Sequence, residues 1–400
     1  MNWKIGPLPT HSEKLCREAA RLLAGTLCLV ISACGGDAPA EGPALPTGSP
    51  LGLSAAPVLV VGERPNDPDH EFHRVVTPFL LPDGGIGVPL SSEGSIRIFD
   101  ERGEFVQALG ASGEGPGEFA RLAAVWARGD TVVALDGGLN RVTRFVPGAP
   151  PETTLLEGVP SAQTGVPGLR SGGWVLYGVK QVGRTGRDLV AVHHFAPDGS
   201  HVGELGEVAG FRRHVHDGGA GPDPISPRPL VRTNGDQVYV AETLTPRITV
   251  FDVATGDTHV VEWEPEGSLS HAEAVAMARA QVANPGSRQM EEAWTLASFQ
   301  ALTGSEEVSV FWDFLIDGGE FVWVRSYDPA IHATNVGGLM TAGAGGEWKV
   351  FHLDGRSVSA VTVPPDFEPL RIEGDHLVGI RRDEFDVESV RVYGIERSGG

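Results

Sequence analysis

The chain has 400 residues and carries 52 acidic against 31 basic side chains, a formal net charge of −21 at pH 7. An acidic body of this kind is repelled by nucleic acid and by anionic lipid surfaces, so neither is expected as a partner, and the charge suits a soluble secreted protein. Three cysteines are too few for a disulfide framework.

Residues 1–33 begin with Lys4, Lys14, Arg17 and Arg21, continue through the apolar run Leu22 to Ile31, and end on small residues. That order is a secretion signal; the run is too short for a membrane span, which needs about 20 apolar residues. Ile31-Ser32-Ala33-Cys34-Gly35 resembles a bacterial lipobox. The resemblance implies lipidation of Cys34, which would open the mature chain and anchor it to the cell envelope, facing the periplasm or the cell surface. Cys16 and Cys28 would leave with the signal, so the mature monomer could form no disulfide. From residue 34 to 55 the chain is Gly, Pro, Ala and Ser without periodicity, the composition of a flexible tether. Its random-coil reach is on the order of 25 Å.

Residues 56–400 are expected to form one closed domain. Six times a glycine-bearing turn leads into a short apolar strand: DGGIGVPL at 83–90, RGDTVVALD at 128–136, SGGWVLYGV at 171–179, NGDQVYVAE at 234–242, DGGEFVWVR at 317–325 and EGDHLVGIR at 373–381. Each is followed by an alternating strand ending on an aromatic, at Phe99, Phe145, Phe195, Phe251, Phe351 and Tyr393. A unit too small to bury its own face must stack on its neighbours, and the shorter spacings of about 44 residues suit a four-stranded blade. A ring leaves fewer strand edges open than a stack does. The fold class is therefore all-β, a six-bladed β-propeller. After Tyr393 too little chain remains for an outer strand, whereas Ala56 to Gly62 reads as an unpaired strand; pairing the two closes the ring.

Residues 268–304 interrupt the repeat with two helical signals. Ser270 and Glu273 form a capping box for a helix from about His271 to Ala283. Beyond Asn284-Pro285-Gly286, the residues Met290, Ala293, Trp294 and Ala297 share one helical face and Gly304 suits a C-terminal cap. The resulting hairpin is expected across one face of the ring, as a packing element over an exposed edge or as a lid or docking surface.

Ser95 to Phe119, followed by Val132 to Phe145, resembles the NHL-type repeat of six-bladed propellers, at Phe99, Asp100, Gly103, Gly110, Gly115, Pro116, Gly117, Phe119, Asp136, Asn140 and Arg141. The layout as a whole is similar to bacterial secreted or lipoprotein propellers with NHL-type repeats. These motif residues also have roles that need no ligand: glycines for positive φ at the blade crossover, Asp100 and Gly103 for a hairpin, and Asp136, Asn140 and Arg141 to tie a tight turn.

Chemistry-bearing residues are few. Lyases with this repeat hold a cation with histidines and carboxylates near the axis, so the resemblance directs attention to His70 with His73 and to His214, His216 and Asp217. Both groups read as loop residues, away from the innermost strands. Arg74, Arg121, Arg228 and Arg371 fall near the starts of the innermost strands, with Asp313 in the corresponding segment of the fifth repeat. They would ring the channel opening and hold an anion or a carboxylate, or else pair with acids of adjacent blades. The sequence has no Gly-x-Ser-x-Gly elbow, no cysteine after Cys34 and no glycine loop leading into a helix. The expectation is a monomeric, non-catalytic binding or scaffold module for an unknown protein or small molecule. No cofactor is expected, a divalent cation being the one compatible addition; the alternative is a metal-dependent lyase or hydrolase at the channel mouth.

Overall fold

A computed structural model describes residues 51–400 apart from 159–162, 167, 183–185, 217–218, 223–224, 266, 268, 283–306, 333–344 and 398–400; at 163, 164, 166, 213–216, 219–222, 278, 279, 281 and 282 it describes the backbone alone. Six antiparallel sheets follow one another along the chain. Blade one comprises Phe79–Leu80, Ile86–Leu90, Ser95–Phe99 and Phe105–Leu109, and blade two Leu122–Arg128, Thr131–Asp136, Arg141–Phe145 and Glu152–Leu155. Blade three comprises Gln163–Val166, Trp174–Gln181, Gly186–Phe195 and His201–His216, with Gly219–Pro222 as a fifth strand. Blade four comprises Pro229–Asn234, Gln237–Glu242, Arg247–Asp252 and Thr258–Glu262, and blade five Phe311–Asp317, Phe321–Ser326, Gly346–His352 and Ser357–Val363. Blade six comprises Phe367–Glu373, His376–Arg382 and Glu388–Arg397. The first strand of each blade lies beside the first strand of the next around the full circle, blade six meeting blade one.

The repeated residues show why the chain folds this way. Gly84, Gly129, Gly172, Gly235, Gly318 and Gly374 all have positive φ, between 56° and 99°, so each turn into a second strand uses the left-handed conformation that glycine adopts without a Cβ clash. The second strands are covered on both faces, as in Ile86–Leu90, where every residue is buried, and they read as unbroken apolar runs. Fourth strands such as Phe105–Leu109 face solvent. The apolar core divides into six clusters, one per seam between neighbouring blades. The six strand-ending aromatics occupy six different seams, each with the preceding blade: Phe99, Phe195, Phe351 and Tyr393 within the clusters, Phe145 and Phe251 packed against them. Trp323 and Trp348, both fully buried, fill the seam between blades five and six with Leu377 and Tyr393.

The outer position of blade six is taken by the first of the described residues. Leu59–Val61 pairs antiparallel with Val390–Val392, as the unpaired-strand reading anticipates. Leu51–Leu53 also pairs, with Ile395–Arg397, so the sheet begins within the stretch read as tether up to residue 55. Leu51 is buried in the seam between blades five and six, a partner that local composition does not reveal. Helix α1, His271–Val282, follows blade four at the expected place. Its capping box is formed: Glu273 Oε2 accepts from Ser270 N (2.9 Å) and Oγ (2.7 Å), while Glu273 N donates to Ser270 Oγ (3.3 Å). The second expected helix lies outside the described residues. Helix α1 packs against a short helix, α2 (Pro329–His332), inserted between the second and third strands of blade five.

Candidate binding site at the channel mouth

Charged side chains are scarce on the innermost strands of blades one to three and gather on those of blades four to six. Arg228 enters blade four with its amide donating to Thr243 Oγ1 (2.9 Å). Its guanidinium lies 3.5 Å from the ring centre of Trp312 and donates from Nε (3.2 Å) and Nη2 (2.8 Å) to the Trp312 carbonyl. Desolvation alone would make this charge costly; the indole face, the carbonyl and Asp313, 4.0 Å away, offset it. Arg232, on the strand that follows, donates to Asp313 Oδ1 at 2.7 Å. Across the blade five ladder Asp313 faces Arg325, a buried guanidinium that donates to the Gly345 carbonyl at 2.7 Å.

Blade six adds a carboxyl. Glu368, 8% exposed, has Arg382 at 3.4 Å, and Arg382 bridges to Glu388 at 2.6 Å. Burial pushes Glu368 up to about 7 against the opposing pull of Arg382, Arg228 and Arg325, with Asp313 adding repulsion. Blade three contributes Tyr177, whose hydroxyl burial holds above its ordinary range although Arg232 and Arg228 draw it down. His332 stacks on Trp312 at 4.3 Å with ring planes 4° apart, and Tyr327 lies 5.7 Å from it. Burial, then Arg325 and Arg228, push His332 down to about 2, so the ring is neutral.

Of the residues read from the sequence as axial, the structure brings Arg228 and Asp313 together here. The other three make different contacts. Arg371 donates to Glu373 Oε1 (2.7 Å) while the other oxygen of Glu373 accepts from Leu80 N (2.7 Å), a stitch between the innermost strands of blades six and one. Arg121 is exposed and donates to the Gly137 carbonyl (2.8 Å). Arg74 is exposed with a φ of 55°, its carbonyl accepting from Ser91 N (3.1 Å) and Oγ (3.0 Å). Counting from the strand starts misplaces Arg371 because the blade six ladder carries a register shift at Pro369/Arg371, whereas Arg121 and Arg74 precede the strands that begin at Leu122 and Phe79. Arg232, Trp312, Arg325, His332 and Glu368 were not anticipated. A usable signal existed: a charge inside an otherwise apolar first strand, as in PLVRTN, FWDFLID and FEPLRIE.

The histidine candidates separate. His70 is not a solvated loop residue: it ends the 3-10 turn Pro68–His70, is 3% exposed beside Phe72 and Phe99, and its Nδ1 accepts from Gly62 N (3.0 Å). Burial lowers its proton affinity. His73, by contrast, is exposed. His214 and His216 belong to a strand and not a loop, opposite Gly221 and Gly219, whose flexible composition hides the pairing. Their side chains, Asp217 and Cys34 lie outside the described residues. Among the described residues no group of three or more His, Cys, Asp and Glu is disposed to hold a metal ion.

The repeat-motif residues hold the ring together. Asp136, fully buried, accepts from the amides of Ala120 (2.9 Å), Arg121 (3.1 Å), Gly138 (2.9 Å) and Leu139 (3.1 Å). Arg141 donates to the carbonyls of Glu114 (3.0 Å), Gly115 (3.0 Å) and Glu118 (2.7 Å), closing the glycine-rich crossover from blade one to blade two. Asp100 Oδ1 accepts from Arg102 N (2.9 Å) and Glu104 N (2.8 Å) around Gly103, the hairpin the motif implies.

Residues 87–146 match a family model described as a 6-bladed beta-propeller. No curated protein matches the sequence. Among solved structures, the chain is similar at 11% identity and a TM-score of 0.49 to a protein of Bacteroides fragilis NCTC 9343 named as exported, covering 86% of this chain and 94% of that one. It is similar at 10% identity and a TM-score of 0.45 to a member of the DUF4221 family from Bacteroides vulgatus ATCC 8482 (87% and 99% covered). A third similarity, at 10% identity and a TM-score of 0.39, is to virginiamycin B lyase from Staphylococcus aureus (85% and 94% covered). With six sheets in a closed ring and that family match, the chain is a six-bladed β-propeller.

Proposed function

We propose that this protein is a lipid-anchored, extracytoplasmic propeller that binds a small anionic ligand without transforming it, at the channel mouth formed by blades three to six. The observation that carries the reading is Arg228 stacked at 3.5 Å on Trp312, with Arg232 and Asp313 completing a charged group on innermost strands. Arginine stays protonated throughout the physiological range, so it recognises charge and exchanges no protons. The envelope location and the anchor rest on the basic start, the apolar run and the Ile31-Ser32-Ala33-Cys34 motif. A second reading, in which the mouth transforms its ligand, draws on Glu368: a buried carboxyl held near 7 is suited to proton transfer.

The test is a thermal-shift and calorimetric screen of the mature chain against carboxylates, phosphate, sulfate and divalent cations. Stabilisation by an anion that is lost in Arg228→Met supports the reading. A stoichiometric bound cation, with no response to anions, overturns it in favour of a metal site. Labelling with a radioactive fatty acid, lost in Cys34→Ala, checks the anchor.

A further inference from the structure

His332 is 3% exposed at the end of helix α2, and its Nδ1 accepts a hydrogen bond from the Asp328 amide at 2.9 Å. An imidazole that accepts at Nδ1 and is neutral must carry its proton on Nε2. That Nε2–H is therefore a donor, and it is buried with no acceptor among the described residues. Leaving a buried donor unpaired costs roughly 1–3 kcal/mol, and native proteins keep few of them. A ligand atom from outside the chain would supply the missing acceptor. The charges acting on the ring, Arg325 and Arg228, are both positive, so the potential at this donor favours an anion over a neutral carbonyl. One ring N–H, with no nest of backbone amides around it among the described residues, suits a two-oxygen carboxylate better than a phosphate or sulfate. Trp312, whose ring is already stacked by His332 at 4.3 Å and Arg228 at 3.5 Å, and Tyr327, 5.7 Å from the imidazole, leave apolar ring edges that would border the body of such a ligand.

We propose that His332 receives a ligand carboxylate through Nε2–H, with Arg325 supplying charge and the Trp312 and Tyr327 rings bordering a planar ligand body. The assignment rests on reading the channel mouth as a binding site. It differs from an acid-base role for this histidine, which takes part only as a fixed neutral donor.

The experiment titrates the mature chain with benzoate, acetate, inorganic phosphate and sulfate, in wild type, His332→Phe, His332→Gln and Arg228→Met. Benzoate is expected to bind more tightly than acetate. His332→Phe keeps a ring against Trp312 but removes the donor and should weaken benzoate about tenfold or more, the loss expected for a charged hydrogen bond. His332→Gln places an amide N–H near Nε2 and should restore most of it. Long-range nitrogen-proton spectra of histidine-labelled wild type give a second readout: the Nε2–H tautomer in the free protein, and a shift of that proton on adding benzoate. Loss in Arg228→Met with His332→Phe unchanged overturns the His332 assignment and leaves the binding mouth standing. Binding of phosphate or sulfate but no carboxylate overturns the ligand class alone. An Nδ1–H tautomer, or a resonance that stays on one bound water whatever is added, also overturns the proposal. Silence of every anion in wild type overturns the proposal together with the reading beneath it.

Discussion

Two polar centres of this propeller are built in opposite ways. At the crossover from blade one to blade two, Asp136 is buried with four backbone amides on its carboxylate, and Arg141 beside it donates from its two terminal nitrogens to three carbonyls, with its Nε 3.7 Å from Asp136. Between blades four and six, by contrast, His332 keeps a buried donor without an acceptor among the described residues and Glu368 keeps a carboxyl that burial holds near 7. A buried polar group whose bonds all end on backbone specifies architecture; one left short of partners holds unspent capacity for a ligand or a proton. Buried donors short of partners also occur within the apolar packing, at His70 Nε2 and Trp348 Nε1, so what marks the second centre is the orphan donor together with the charges gathered around it.

The largest expected effect tests the first centre. Asp136→Ala strands four amides in a buried turn and should destabilise the fold by about 3–5 kcal/mol in denaturant unfolding, with Asp136→Asn recovering part of the loss. Benzoate affinity of the folded fraction should not change. A cost below about 1 kcal/mol would remove the distinction drawn above.

The second centre should declare itself in the pH dependence of stability. Glu368 has its folded value raised from 4.5 to about 7, so the folded state holds the proton more tightly and stability falls as pH rises between those values. His332 has its folded value lowered from 6.5 to about 2, so stability falls as pH drops below 6.5, where only the unfolded chain takes up a proton. Between about pH 4.5 and 6.5 these slopes oppose each other, each at most about 1.4 kcal/mol per pH unit. Glu368→Gln should therefore steepen acid destabilisation in that window and stabilise the protein by up to about 3 kcal/mol at pH 8. His332→Gln should do the reverse, becoming more stable as the pH is lowered. Melting temperatures across pH 4–9 check both, and parallel profiles in the two variants would show that neither group is held as described.

Arg228→Met comes next. The stacked, carbonyl-bound guanidinium contributes about 1–2 kcal/mol, so the variant should fold normally yet lose anion binding. The smallest effect belongs to neither centre: Ser270→Ala removes the capping box of α1 and should cost about 1 kcal/mol, seen as faster amide exchange in that helix alone. Global unfolding there would show that α1 is coupled to the ring.

Legibility followed the range of the interaction. The six turn glycines, the seam-filling aromatics, the Asp100 hairpin and the capping box of Ser270 and Glu273 were all visible, because each depends on residues a few positions apart. The pair of strands that closes the ring was half visible: Leu59–Val61 showed as an unmatched apolar run, whereas Leu51–Leu53 disappeared into a Gly and Ser stretch. At the mouth, Arg228 and Asp313 were named but their partners were not, since Trp312, His332 and Glu368 reach them from different strands, a short helix and another blade.

By itself the sequence determined the architecture, because a blade is a local unit written six times with its turn, its apolar run and its aromatic plug. Tertiary structure alone decided which charges meet. Ring closure converts positions far apart in the chain into neighbours, and the register shift at Pro369/Arg371 moves Arg371 off the level that residue counting assigns it. Whether a buried histidine or carboxyl is satisfied depends on atoms contributed by several blades at once, and no single stretch of sequence carries that information.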